Sequence, residues 1–141
     1  MNKYYVHLET LCVVHGVELH IDTTLRREHC YALPDLRAVV TPPVEDDTQY
    51  VAVLHEFGHI CHTAARPESL REEVLTPRHA MDRLEEEDHA WAWARQHAQN
   101  WSPAMQMVHD WARETYRKNV ERMLKNSMGL RKAALSVKEW K

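Results

Sequence analysis

Residues 49–64, QYVAVLHEFGHICHTA, read as a helix that is apolar around almost its whole circumference. Counting about 100° per residue from Val51, the side chains of Leu54, Gly58, Cys61, Phe57, Val53 and Ile60 cover nearly every direction. Such a helix belongs in an interior, so the rest of the chain has to wrap it. The open directions hold His55, His59 and His62 in a wedge of about 60°, with Glu56 just beyond. Polar groups in that wedge need partners, because unpaired buried charge is expensive.

The wrapping material is modest. With 141 residues, 44% of them apolar, the chain supports one domain with one core. Residues 2–15 read as a helix with Tyr5, Leu8, Cys12 and His15 on one stripe and Gly16 as its stop. VELHI (17–21) alternates as a half-buried strand does, CYAL (30–33) follows a polar turn, and LRAVV (36–40) is a second, clearer strand. Pro42 and Pro43 end that strand, and Asp47 or Thr48 can cap the helix that follows. Residues 65–75 read as a polar connector. Thr76-Pro77 starts a long helix reaching about Gln99, and Ser102-Pro103 starts a last one ending near Ser127 or Met128, before Gly129. The expected class is α+β: a domain over 1–101, a C-terminal helix over 102–128 packed on it, and a flexible basic tail over 129–141.

Several functional classes fall away. Three glycines leave no GxGxxG or GxxxxGK[ST] loop for phosphate. Three scattered cysteines without a CxxC pair argue for a reducing compartment. No apolar run approaches a membrane span, and MNKYYVHLET lacks the apolar stretch of a secretory signal, so a cytoplasmic chain without a membrane partner is expected. Residues 103–141 carry nine Lys/Arg against four acids, while residues 1–102 carry nine against seventeen. The basic residues of 113–132 are diluted by acids and apolar residues, which describes a solvated amphipathic helix better than a nucleic-acid surface.

HEFGH (55–59) matches HExxH. Histidines four apart on a helix lie about 6 Å apart along the axis and about 40° apart around it, so both imidazoles can converge on one tetrahedral zinc. Glu56 then points beside the ion, where its carboxylate can take a proton from an attacking water. His62 lies about 10.5 Å along the axis from His55 in a straight helix, too far to share the ion. It is expected to stand behind the ligands, face a substrate, or serve structure.

A third protein ligand is needed, since a catalytic zinc takes three plus water. LEEEDHAWAWA (84–94) supplies a row of four acids against a Trp/Ala run. On a helical wheel Leu84, Trp91, Ala94 and Ala98 fall within about 40° of Ala80, with Glu87 in the middle of the stripe. Glu85 points nearly opposite, and Glu86 and Asp88 lie to either side. A lone inward carboxylate is protonated or finds a cation, and an ion held by His55 and His59 is the obvious one. Glu86 is the fallback ligand. The donor set also suits manganese or iron.

HEFGH followed by Glu87-Asp88-His89-Ala90-Trp91-Ala92-Trp93-Ala94 resembles the HExxH…ExxAxx[FW]A signature of ImmA/IrrE-type metallopeptidases, whose short members are often phage-encoded. The order of elements over residues 1–98 is similar as well. The resemblance implies a gluzincin, or zincin-like, fold holding one Zn2+ per chain. His55, His59 and Glu87 would be its ligands and Glu56 the general base. It implies a metalloendopeptidase acting on a protein or peptide, such as a DNA-binding repressor. The helix after 102 lies outside the resemblance. LRAVV could add a substrate strand, and Tyr31, His29 and His89 are among the candidate oxyanion donors.

The rival expectation is a zinc-stabilised binding protein without catalysis, for example a phage-encoded modulator of a host factor. The small size and Trp-rich helices favour it. Trp93, far from the Glu87 stripe, must pack elsewhere or meet a partner, and Val108, Trp111, Ala112 and Thr115 share a face of the last helix.

Overall fold

A computed structural model describes residues 2–66 and 76–126. The order is α1 (Lys3–His15), β1 (Glu18–Ile21), β2 (Tyr31–Leu33), β3 (Ala38–Thr41), α2 (Asp47–Cys61), α3 (Pro77–His97) and α4 (Pro103–Asn126). Four helices and one small sheet make the class α+β, as expected. The connector over 67–75, the stop at Gly129 and the tail over 129–141 lie outside the described residues. Among those residues no helix is long and apolar enough to cross a membrane.

The chain divides into two compact units, Met1–Thr63 with His89–His109, and Ala64–Asp88 with Asp110–Lys141. α3 and α4 are continuous helices that contribute to both.

The first unit is built around α2. Val51, Val53, Leu54, Phe57 and Ile60 are buried, together with Leu8 and Leu11 of α1, Val39 of β3, and Ala90, Trp93 and Ala94 of α3. The helix thus has the near-complete apolar contact that its circumference demands. Its bounds differ from the sequence expectation. Asp46 caps it, with Oδ1 accepting from the Gln49 N–H (3.0 Å). Neighbouring backbone selects this acid from the Glu-Asp-Asp run, since Glu45 N–H donates to Gln49 Oε1 (2.8 Å) and Val44 N–H to Tyr5 Oη (2.7 Å). At the other end α2 stops at Cys61, and His62 is extended (φ −64°, ψ 149°).

The sheet order is β1-β3-β2, with β1 parallel and β2 antiparallel to β3. β3 begins at Ala38 instead of Leu36. Pro34–Leu36 form a 3-10 turn closed by Arg37 N–H to Pro34 C=O (3.0 Å), and Arg37 itself is left-handed (φ 47°). Such a conformation is costly for a residue with a Cβ. Here the guanidinium donates to the last carbonyls of α1, at His15 (2.7 Å) and Gly16 (3.2 Å). One residue therefore orients the sheet and closes α1, whose own stop is Gly16 at φ 65°.

Both long helices start where capping signals predict. Thr76 Oγ1 accepts from His79 N–H (3.1 Å), and Ser102 Oγ accepts from Met105 N–H (3.3 Å). In the second unit Ala80 and Leu84 of α3 pack with Val120 and Leu124 of α4, flanked by Met81, Tyr116 and Met123. Ala80, Leu84, Trp91 and Ala94 are all buried, as the stripe required.

Candidate metal centre

Apolar packing consumes most of α2, and His55, Glu56 and His59 are among the positions left half-buried. The two imidazoles stand 4.6 Å apart between ring centroids. Glu56 Oε1 is 3.7 Å from His55 Nδ1, and both side chains keep only partial access to solvent, 18% and 13%.

α3 comes unusually close to this helix at Gly58. A Cβ on residue 58 would collide with the Ala90 carbonyl and lie 2.9 Å from the Ala90 Cα. Glycine is required here for the close approach of a neighbouring backbone, not for its own backbone angles. A glycine inside a buried helix, with alanines in the facing segment, is the signal that marks such a crossing.

Glu87 lies three residues before Ala90 on the same helix. One ligand atom from each of His55, His59 and Glu87 can be chosen so that all lie within 4.8 Å of one another. Among the described residues this is the group of His, Cys, Asp or Glu able to hold a metal ion. Zn–N and Zn–O bonds near 2.0–2.1 Å at tetrahedral angles separate donors by roughly 3.4 Å, so a small inward adjustment completes the set. Two imidazoles and one carboxylate suit a divalent transition metal and leave further coordination positions for water or substrate.

The other acids of the row are placed differently. Glu85 is exposed, Glu86 pairs with Arg66 (3.3 Å), and Asp88 accepts from Arg113 Nε (3.1 Å). Glu86, the fallback ligand, thus faces a guanidinium. His62 does not continue the wedge of α2, since the helix has already ended; its ring stacks on His89 (5.5 Å, 27°). His89, two residues from Glu87 and so about 200° around α3, points away from the carboxylate. Tyr31 is 44% exposed on β2.

Two aromatic residues of α3 have separate tasks. Trp93 is buried against Phe57 (6.3 Å), His97 (3.9 Å) and His15 (5.3 Å), which excludes it as a partner surface. Trp91 lies face to face with the His55 imidazole, 4.1 Å away and tilted by 13°. The Cys30 thiol is close enough to feel Glu56. Burial first, and then that carboxylate, push its pKa up to about 12, against a hydrogen bond with Thr41, so it stays protonated and inert.

LRAVV cannot take a substrate strand. β3 is central, with β1 on one side and β2 on the other. The edges left in this sheet are those of β1 and β2, and β2 packs on α2 together with β3. Comparison with known protein families, curated proteins and solved structures gives no match.

Proposed function

We propose that the chain is a minimal gluzincin-type metalloendopeptidase that hydrolyses a peptide bond in a protein substrate with one zinc ion. The observation that carries this reading is the half-buried convergence of His55, His59 and Glu87 beside Glu56. When bound, the ion polarises the scissile carbonyl and makes water a competent nucleophile near neutral pH. Glu56 then accepts the proton that the water loses as it attacks, and returns it to the departing amine.

An extended substrate fits the outer edge of β2, where Tyr31 and Leu33 are exposed and no further strand pairs among the described residues. This replaces the edge of β3 as the expected docking strand. The test is cleavage of a peptide library or a candidate repressor by the full chain, with and without chelator. Glu56→Gln is expected to lower turnover at least 100-fold while keeping the metal. Undiminished cleavage by that variant rejects the assigned role.

The second reading, a metal-stabilised binding protein, is favoured by Met107 and Trp111, one turn apart on α4 and 72% and 70% exposed. Full biological effect from Glu56→Gln, with loss of the fold on metal removal, would decide for it.

A further inference from the structure

The packing around Trp91 reaches back from a ligand into α4. One face of the indole covers His55 at 4.1 Å. Another side meets the edge of His109, 5.2 Å away at 88°. His109 is in turn held by Gln106, whose Nε2 lies 3.5 Å from its Nδ1. The orientation of that amide is fixed by its other end. Gln106 Oε1 accepts from Arg95 Nη1 (2.9 Å) and from Trp101 Nε1 (2.6 Å). With the oxygen committed to two donors, the amide nitrogen is the donor towards His109, and Nδ1 of His109 is the acceptor.

We infer that Trp91 is a positioning residue for the metal ligand His55, fixed from behind by His109 and Gln106 of α4. The inference rests on the metal-centre reading above. An imidazole lone pair lies in the plane of its ring, so a twist about χ2 swings it off the ion. That torsion is intrinsically soft for aromatic side chains. A flat indole parallel to the ring, itself braced on its other side, restricts the twist before any ion arrives. Burial alone would be met by any bulky apolar side chain in any orientation; the 13° parallel stack requires a flat one. The arrangement also gives α4 a task at the centre that its sequence does not announce.

The test is titration of the full-length, metal-free chain with Co2+, following its visible d–d bands, and with Zn2+ in competition. Trp91→Leu is expected to weaken metal binding about 10- to 100-fold and to alter the band envelope, as loss of a group supporting a ligand does. Trp91→Phe keeps a flat face and is expected to stay within a few-fold of the parent. His109→Ala removes the brace from a half-buried position and is expected to weaken binding by a smaller factor, which keeps the test decisive if Trp91→Leu fails to fold. Parental affinity and spectrum in the folded variants would overturn the inference while leaving the centre intact. A parent chain that binds neither ion would overturn the metal-centre reading, and this inference with it.

Discussion

Gly58→Ala tests the geometry of the centre without touching a ligand. The new Cβ would lie 2.9 Å from the Ala90 Cα and closer still to its carbonyl, where ordinary contact begins at 3.4 Å. The obstacle is backbone within a helix, so no side-chain rotation relieves it. α3 has to retreat by roughly 1 Å, the scale on which a core insertion costs about 1–3 kcal/mol. Alanine recovers about 1 kcal/mol in helix propensity, so the net loss is about 0–2 kcal/mol. For a chain of this size that lowers Tm by no more than about 8 °C.

Metal binding suffers differently. Glu87 travels with Ala90 on α3, while His55 and His59 stay with α2, so the retreat opens the donor set. Misplacement by about 1 Å is enough to cost roughly 100-fold in a site that depends on convergence. The expected pattern is a Zn2+ affinity down by at least 10-fold with the metal-free fold largely kept. The assays are competitive zinc titration and thermal melting of metal-free protein. Unchanged affinity together with an unchanged Tm would refute the close crossing as the source of the ligand geometry.

Removal of the ion is expected to cost stability: zinc at 100 times Kd adds about 2.7 kcal/mol, so chelation should lower Tm by about 10 °C in the parent and leave Glu87→Ala unmoved. Asp46→Ala removes the cap of α2, the side-chain partner of Thr48 (2.7 Å) and the ion pair with Arg27, and is expected to cost about 1 kcal/mol in a thermal melt. Acid should weaken the first unit through His7. Its Nδ1 faces the Tyr50 hydroxyl, which accepts from Gln99 N–H (3.2 Å), and burial, followed by the charge of His97, lowers its pKa below the usual 6.5. The native state therefore binds fewer protons than the unfolded chain. Stability is at its full value above pH 6.5 and falls as pH drops from there through the native pKa. His7→Gln, an acceptor that does not titrate in this range, should flatten the fall in Tm between pH 7 and pH 5, and an identical profile would count against this assignment.

What the sequence discloses here depends on whether a residue acts locally. Gly16, Thr76 and Ser102 end or begin helices through backbone groups within a few positions, and each was readable. The pairing of β3 was not, because its central place follows from which strands flank it. Arg37 occupies a left-handed conformation that the residue type disfavours; the compensation comes from carbonyls 21 and 22 positions away. The cap of α2 moved to Asp46 for a similar reason, a tertiary contact from Tyr5 to Val44. His62 left its helix without a glycine or proline beside it to give notice. Trp91 was correctly buried by the wheel, but a wheel records direction and says nothing of the ring that an indole will cover.

The approach of Glu87 to the two histidines was legible although it is tertiary, and the residues around it explain why. A carboxylate moved out of water takes up a proton or finds positive charge. Glu85 is exposed, Glu86 meets Arg66, and Asp88 meets Arg113. A Glu87 carboxylate oxygen comes within 4.8 Å of ligand atoms of His55 and His59. A divalent ion shared by all three would offset the carboxylate's desolvation and use their lone pairs together. The wheel isolates Glu87 because Ala80, Leu84, Trp91 and Ala94 are fixed by apolar burial, which leaves the acid no rotational freedom. The placement of Glu87 is therefore decided by the residues around it more than by the acid itself: replace those four by polar residues and α3 could turn, letting the same HExxH and the same acid row coexist without converging.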